Sequence, residues 1–309
     1  MKKTDYDVVI IGGGPAGLTA GLYASRSRLK TLLVEKVVPG GQVLITDWVD
    51  NYPGFPEGIS GAELVQKMTE QVDKFGLKIE SEEVQAVDFT TDVKKISLSN
   101  REITTHTVII ASGASPQTLG VPGEDRFYGK GVSFCGTCDG PFFKNRVVAA
   151  VGGGDTAVKE SLYLTKFAKK VLLIHRRDQL RAEKYLQERA FENDKIEFVW
   201  DSVVTGITGF DSVEKVCVKN VKTDVDSELL VDGCFIWVGI RPNATFLNGA
   251  VKVDDYGFIL TDANMATNVS GVFAAGDVRQ TPLRQITTAV GDAALAAHGV
   301  QTHIENIGL

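Results

Sequence analysis

The sequence has no apolar run near the ~20 residues that a membrane-spanning helix needs. It also lacks a basic excess: 33 Lys and Arg stand against 39 Asp and Glu, a net charge of −6. That balance excludes a general binder of nucleic acid or of anionic membranes. Low-complexity tracts are missing. Cysteine is scarce, with four residues at positions 135, 138, 217 and 234, of which only the first two are close together. A disulfide-dense secreted scaffold is thereby ruled out, and a lone C-x-x-C pair in a reducing compartment reads as redox-active or metal-binding. A structural metal needs roughly four ligands, usually two such pairs. Here the histidines show no ligand spacing, so no metal site is expected. Cys217 and Cys234 stand alone in strand-like runs and read as buried small hydrophobes. The start Met1-Lys2-Lys3 resembles a signal-peptide n-region, but the apolar stretch Val8–Ile11 ends at Gly12, too short for an h-region. A cytoplasmic protein is expected.

What is present is a 309-residue chain, 43% hydrophobic and 23% charged, long enough for two globular domains. Its strongest feature is an internal echo at an offset of 140 residues. Val8–Ile11 is a buried-strand run that enters Gly12-Gly13-Gly14-Pro15-Ala16-Gly17, then a helical pattern, then a second strand at Thr31–Glu35. The same grammar returns at Val147–Val151, Gly152-Gly153-Gly154-Asp155-Thr156-Ala157 and Val171–His175. Each copy is a βαβ beginning of the kind that builds a parallel sheet covered by helices. Further strands are expected at Thr107–Ala111, Cys234–Val238 and Val272–Ala275, and a helix over Thr287–Ile304. Two strands run into proline turns, at Gly113–Pro116 and Gly239–Asn243, which read as crossings between domains. The expected architecture is α/β, with two Rossmann-like dinucleotide-binding domains. One spans 1–115 and 245–309; the other, 116–244, is inserted into it.

Gly12, Gly14 and Gly17 form G-x-G-x-x-G between strand and helix. The first glycine allows the tight turn, the second lets a pyrophosphate approach, and the third lets helix pack on strand. The helix N-terminus offers free N–H groups to phosphates. Glu35 follows the first glycine by 23 residues, where an acid binds ribose hydroxyls. This loop suits FAD or NAD; a purely structural turn is the alternative. The second loop, with Gly152, Gly154 and Ala157, is an accepted variant. At the position of Glu35 it has His175, followed by Arg176, Arg177 and Arg181. Guanidinium groups bind phosphate through charge-assisted bonds, so this site should prefer NADPH. A solvated basic face is the alternative. A chain holding a flavin and NADPH is built for hydride transfer between them.

Cys135-Gly136-Thr137-Cys138-Asp139 lies just before the second loop. A two-residue spacer lets a disulfide open and close with little backbone motion. Asp139 is placed to exchange protons with a thiolate or a reduced flavin.

With Gly40-Gly41-Gln42, Asn51–Gly54, Gly276-Asp277 and Arg284-Gln285 added, the whole chain resembles the low-molecular-weight, NADPH-dependent bacterial thioredoxin reductases. The resemblance implies an FAD site made by Gly12, Gly14, Pro15, Ala16, Gly17, Glu35, Gly41, Gln42, Asn51, Ala111, Gly113, Gly276, Asp277, Arg284, Gln285 and Ile286. It implies an NADPH site made by Gly152, Gly154, Asp155, Thr156, Ala157, His175, Arg176, Arg177 and Arg181. Electrons would pass from NADPH through FAD to the Cys135–Cys138 disulfide, and from there to thioredoxin or a thioredoxin-like protein. Cys138 would be nearest the flavin, Cys135 would attack the protein substrate, and Asp139 would be the acid/base. The inserted domain would rotate about the two crossings. The resemblance also implies a homodimer. Phe142, Phe143 and Lys130 would form a docking patch, with core packing of the phenylalanines as the alternative. Gly136 stands where the resemblance predicts Ala, and Leu180 where an aromatic is common. A ferredoxin-dependent relative would lack the second loop's arginines, and a ferredoxin–NADP oxidoreductase of this shape would lack the cysteine pair. A flavin-dependent redox sensor without turnover is the reading from another class.

Overall fold

Val8, Val9 and Ile10 are wholly shut off from solvent, because β1 (Tyr6–Ile11) is a central strand covered on both faces. The structure, a computed structural model, describes residues 3–44, 46, 49 and 51–308, except the side chains of Thr137 and Cys138. It divides into two compact units, 1–115 with 241–309, and 116–240.

In the first unit β1 pairs in parallel with β2 (Thr31–Glu35) and with β6 (Glu102–Ile110). β3 (Lys78–Ser81) extends the sheet beside β2, and β17 (Val272–Ala274) lies beside β6. Successive residues of β1 serve opposite cores. Val8 and Ile10 face α1 (Pro15–Arg26) and α7 (Ile286–Asn306), whereas Val9 and Ile11 pack with Leu32, Ile96 and Ile259. The buried residues of α7 (Ala289, Ala293, Ala296, Ala297, Val300 and Ile304) fall on one stripe at helical spacing, and their small side chains bring α7 close to Ala16, Ala20 and Ala24 of α1. α2 (Gly41–Leu44) and α3 (Gly61–Asp73) complete this unit's helices among the described residues. Ser60 caps α3, its Oγ accepting the Glu63 N–H at 3.2 Å, worth about 1 kcal/mol. β6 starts five residues before the expected Thr107. Its first half pairs antiparallel with β5 (Lys94–Leu98), which in turn pairs with β4 (Val84–Asp88), and there the alternation with polar residues hides a strand.

The second unit is entered along β7 (Ala114–Pro116) and left along β16 (Ile240–Pro242). Its parallel sheet runs β11 (Ile196–Val199), β10 (Lys170–Ile174), β9 (Val147–Val151), β15 (Gly233–Ile236), β8 (Val132–Ser133). One face packs on α5 (Asp155–Leu164) and α6 (Lys184–Phe191). The other packs on an antiparallel layer of β12 (Ser202–Thr208), β13 (Lys215–Asn220) and β14 (Asp226–Leu230). Cys217 departs from its expected burial. On β13, Val216 and Val218 face the core, so the intervening Cys217 points to the other face and is only half-buried. Cys234, on β15, is fully buried.

Candidate active site

In the first unit β1 ends at Gly12, whose φ of +105° is a backbone conformation that glycine tolerates. A Cβ there would collide with the Ala111 carbonyl oxygen, and one at Gly17 with the Gly12 carbonyl. The turn therefore exists only with glycine at both positions. Gly14 caps α1 and Pro15 opens the helix, so no cap side chain accepts the first-turn N–H groups. Oε2 of Glu35 accepts the Gly13 N–H at 2.6 Å, and the Gly40 N–H reaches the Gly13 carbonyl at 2.8 Å, bringing Gly41 beside Gly14. Gln42 is exposed at the start of α2.

Other candidate residues gather at the N-terminus of α7. Asn51 Nδ2 donates to Gln285 Oε1 at 3.0 Å, Gln285 is the N-cap, and Ile286 opens the helix. The Arg284 guanidinium lies 4.2 Å from the Phe258 ring centroid, and its Nε is buried without a partner among the described residues. Gly276 packs on Ala16 and Ala289, and its N–H donates to Asp292 at 3.2 Å. Burial, with Asp292 nearby, pushes the Asp277 carboxyl above its ordinary range, against the pull of Arg284. The α1 start without a side-chain cap, an orphaned guanidinium nitrogen and a half-buried acid form a set that fits a dinucleotide with a polar chain between its rings. On the far side of Ala111, Gly113 takes φ +70° and its carbonyl accepts the Asn243 N–H at 3.0 Å. Sequence reading missed Asp292, which holds both Gly276 and Arg279; lying inside an alanine-rich helical run, it carried no motif signal.

The second unit repeats the geometry. Gly152 (φ +147°) would meet the Trp237 carbonyl if it bore a Cβ, Gly154 caps α5 with no side-chain acceptor, and Ala157 is fully buried in the helix–strand contact. The Arg181 N–H closes on the Gly153 carbonyl at 2.7 Å, as Gly40 does on Gly13. His175 occupies the place of Glu35, but its ring is buried against Gly153 with Nε2 unpartnered among the described residues. Burial, then Arg181, Arg177 and Arg176, lower its pKa, so the ring is neutral at pH 7. The three guanidinium groups are exposed and make no ion pair among the described residues. Asp155 opens α5, and its Oδ1 accepts the Glu183 N–H at 2.7 Å. Thr156 is exposed.

Cys135 lies between β8 and the short helix α4 (Gly136–Asp139), and Cys138 is the third residue of that helix. Ser133 Oγ accepts the Cys135 N–H at 3.0 Å, and the Trp237 indole N–H donates to the Phe134 carbonyl at 3.0 Å. The side chain of Cys138 lies outside the described residues. Asp139 borders a cavity of about 310 Å³ with Lys130, Phe142, Phe143 and Arg146. Phe142 is 76% exposed, whereas Phe143 is buried edge-on against Phe235 at 5.3 Å. The expected pairing of both phenylalanines at the surface is thus corrected. Phe143 fills the space left by the absent side chain of Gly233.

Two dinucleotide-type βαβ units in one chain, one bearing a C-x-x-C turn, define a nucleotide-dependent redox protein of the disulfide-handling class. The chain belongs to the pyridine nucleotide-disulphide oxidoreductase family, whose description matches residues 6–293. Membership implies a flavin and a pyridine nucleotide. The chain is 45% identical over 308 residues to a thioredoxin reductase of Peptoclostridium litorale, covering 98% of each. It is 47% identical over 305 residues to a thioredoxin reductase of Listeria monocytogenes, covering 98% of this chain and 95% of that one. The crystal structure of Lactococcus lactis thioredoxin reductase superposes with a TM-score of 0.84 at 47% identity, over 98% of this chain and all of that one. Among the described residues no helix is long and apolar enough to cross a membrane.

Proposed function

We propose that the chain is an NADPH-dependent thioredoxin-disulfide reductase. FAD would be held in the first unit (1–115 and 241–309) and NADPH in the second. The observation that carries this reading is the difference between two otherwise matching loops: a carboxylate, Glu35, closes the first, and three exposed guanidinium groups, unpaired among the described residues, border the second.

Arg176, Arg177 and Arg181 bind the 2′-phosphate, and neutral His175 supports the glycine loop from beneath. Glu35, the α1 N-terminus, Asp277 and Arg284 hold FAD, with Gly41, Gln42, Asn51 and Gln285 beside them. Bound there, FAD supplies a two-electron carrier between a nicotinamide and a disulfide. The rest is sulfur chemistry of this chain. The Cys135 thiolate attacks the partner's disulfide and forms a mixed disulfide while the partner's leaving sulfur takes a proton. Cys138 then attacks Cys135 Sγ, restoring the Cys135–Cys138 disulfide and releasing the partner as a dithiol. Asp139 exchanges the protons. Lys130 and exposed Phe142 offer the partner a docking patch. Gly113 and Gly239, both with positive φ, serve as hinges that alternate the two reactions. A cytoplasmic homodimer completes the reading.

Replacing Cys138 with Ser tests it. Bleaching of the flavin by NADPH is expected within about twofold of the parent rate, with thioredoxin reduction lowered at least ~10³-fold. A variant that reduces thioredoxin at the parent rate sinks the proposal.

A further inference from the structure

The peptide joining Cys135 to Gly136 is held on its carbonyl side. Its oxygen accepts the Ser133 hydroxyl at 3.2 Å and the Asp139 N–H at 3.2 Å. On its other side the half-buried carboxylate of Glu160 reaches across from α5 to Gly136, whose N–H helps hold that carboxyl in its charged form. Glu160 therefore completes a clamp on one of the two peptide units that fix the Cα of Cys135; the other is held by Ser133 and Trp237.

Room for that clamp comes from position 136. A Cβ on Gly136 would collide with Glu160 Oε2 and stand 3.2 Å from the Trp237 ring. The ring cannot yield, since its N–H is bonded to the Phe134 carbonyl and it stacks on Phe235 at 5.6 Å. The carboxylate, at the end of a flexible side chain, is what would move. An alanine at this position would therefore break the Glu160 contact.

We infer that Glu160 is a positioning residue for the sulfur pair: it clamps the Cys135–Gly136 peptide and sets the ease with which the neighbouring Cys135 thiol ionises, and Gly136 is what admits it. The inference rests on the pair being the redox couple proposed above. Burial already pushes the Glu160 carboxyl above its ordinary range, with Lys159 and the Gly136 N–H opposing. The titratable groups of the facing segment are Cys135, next to Gly136 in the chain, and Asp139 at the end of α4, and α5 itself carries Lys159 and Tyr163. A thiolate formed beside an ionised Glu160 is disfavoured by like charge, so each raises the other's pKa.

Three variants of the holoenzyme separate the roles: Glu160→Gln keeps an acceptor for the Gly136 N–H but drops the charge, Glu160→Ala removes both, and Gly136→Ala displaces the carboxylate. The readouts are the pH profile of Cys135 alkylation by iodoacetamide after reduction with dithiothreitol, followed by peptide mass spectrometry, and thioredoxin turnover. Expected for Glu160→Gln is an alkylation profile moved to lower pH with turnover within about threefold of the parent. Glu160→Ala and Gly136→Ala should lose roughly tenfold or more in turnover, as a misplaced reacting group does. Flavin content and NADPH bleaching rate should match the parent in all three. If Glu160→Ala does not fold, the other two variants carry the test. Alkylation profiles that coincide in Glu160→Gln and parent, or equal turnover in Gly136→Ala and parent, would overturn the inference. Shifted alkylation profiles in a protein that never reduces thioredoxin would uphold it and discard the substrate reading instead.

Discussion

Cys234 is wholly buried on β15, and that burial pushes its thiol up to about 12. At pH 8 only about one molecule in ten thousand then carries the reactive thiolate. Half-buried Cys217 has no such shelter. Alkylation of the native protein at pH 8 should label Cys217 at least ~100-fold faster than Cys234, with the difference vanishing in denaturant; equal native rates would refute the assignment. Asp277 gives the matching case for a carboxyl. Burial raises its folded pKa above the unfolded value, so its contribution favours the folded state below the unfolded pKa and is lost as pH rises through the folded one. Without flavin, Asp277→Asn should therefore melt a few degrees above the parent at pH 7.5, with the gap closing below about pH 4. A variant that melts lower at pH 7.5 would show that Arg284, not burial, dominates there.

The two βαβ elements were legible because each opens with a fully buried strand. Val8–Ile11 and Val148–Val151 are continuous apolar runs entering glycine, and no other local structure satisfies both features. β12, β13 and β14 were not legible. β12 is interrupted by Thr205 and Gly206, β13 alternates with lysines and β14 opens on polar and acidic residues, so their pairing is set by the sheet they cover rather than by their own sequence. The site was legible where glycine spacing or a charge at a strand end carried it. It was hidden where a role depends on packing, as at Glu160 and Asp292 or in the opposite fates of Phe142 and Phe143. The proposal assigns the matching loops different ligands, which substitution can test. Gly12→Ala should give protein that copurifies without yellow colour. Gly152→Ala should stay yellow while its pyridine-nucleotide KM rises about tenfold or more. Loss of colour in both variants would mean that the second loop supports the flavin too.

Two compact units make a single unfolding transition the wrong expectation for the whole molecule. If the first unit holds FAD as proposed, the flavin should stabilise that unit alone, by about 2.7 kcal/mol at a hundredfold excess over Kd. Scanning calorimetry should then show one transition moving up by on the order of 5–10 °C while the other stays in place. Joint movement of both would show that the units unfold together.

Arg176, Arg177 and Arg181 have a consequence at this scale as well. The chain carries a net charge of −6, so the three exposed guanidinium groups set a local attraction for a phosphorylated coenzyme against a net negative background. Because unpaired guanidinium groups in water act over a range of ~8 Å at physiological ionic strength, they guide encounter more than they retain what has arrived. Salt should slow the capture of a 2′-phosphorylated dinucleotide and leave its departure nearly unchanged.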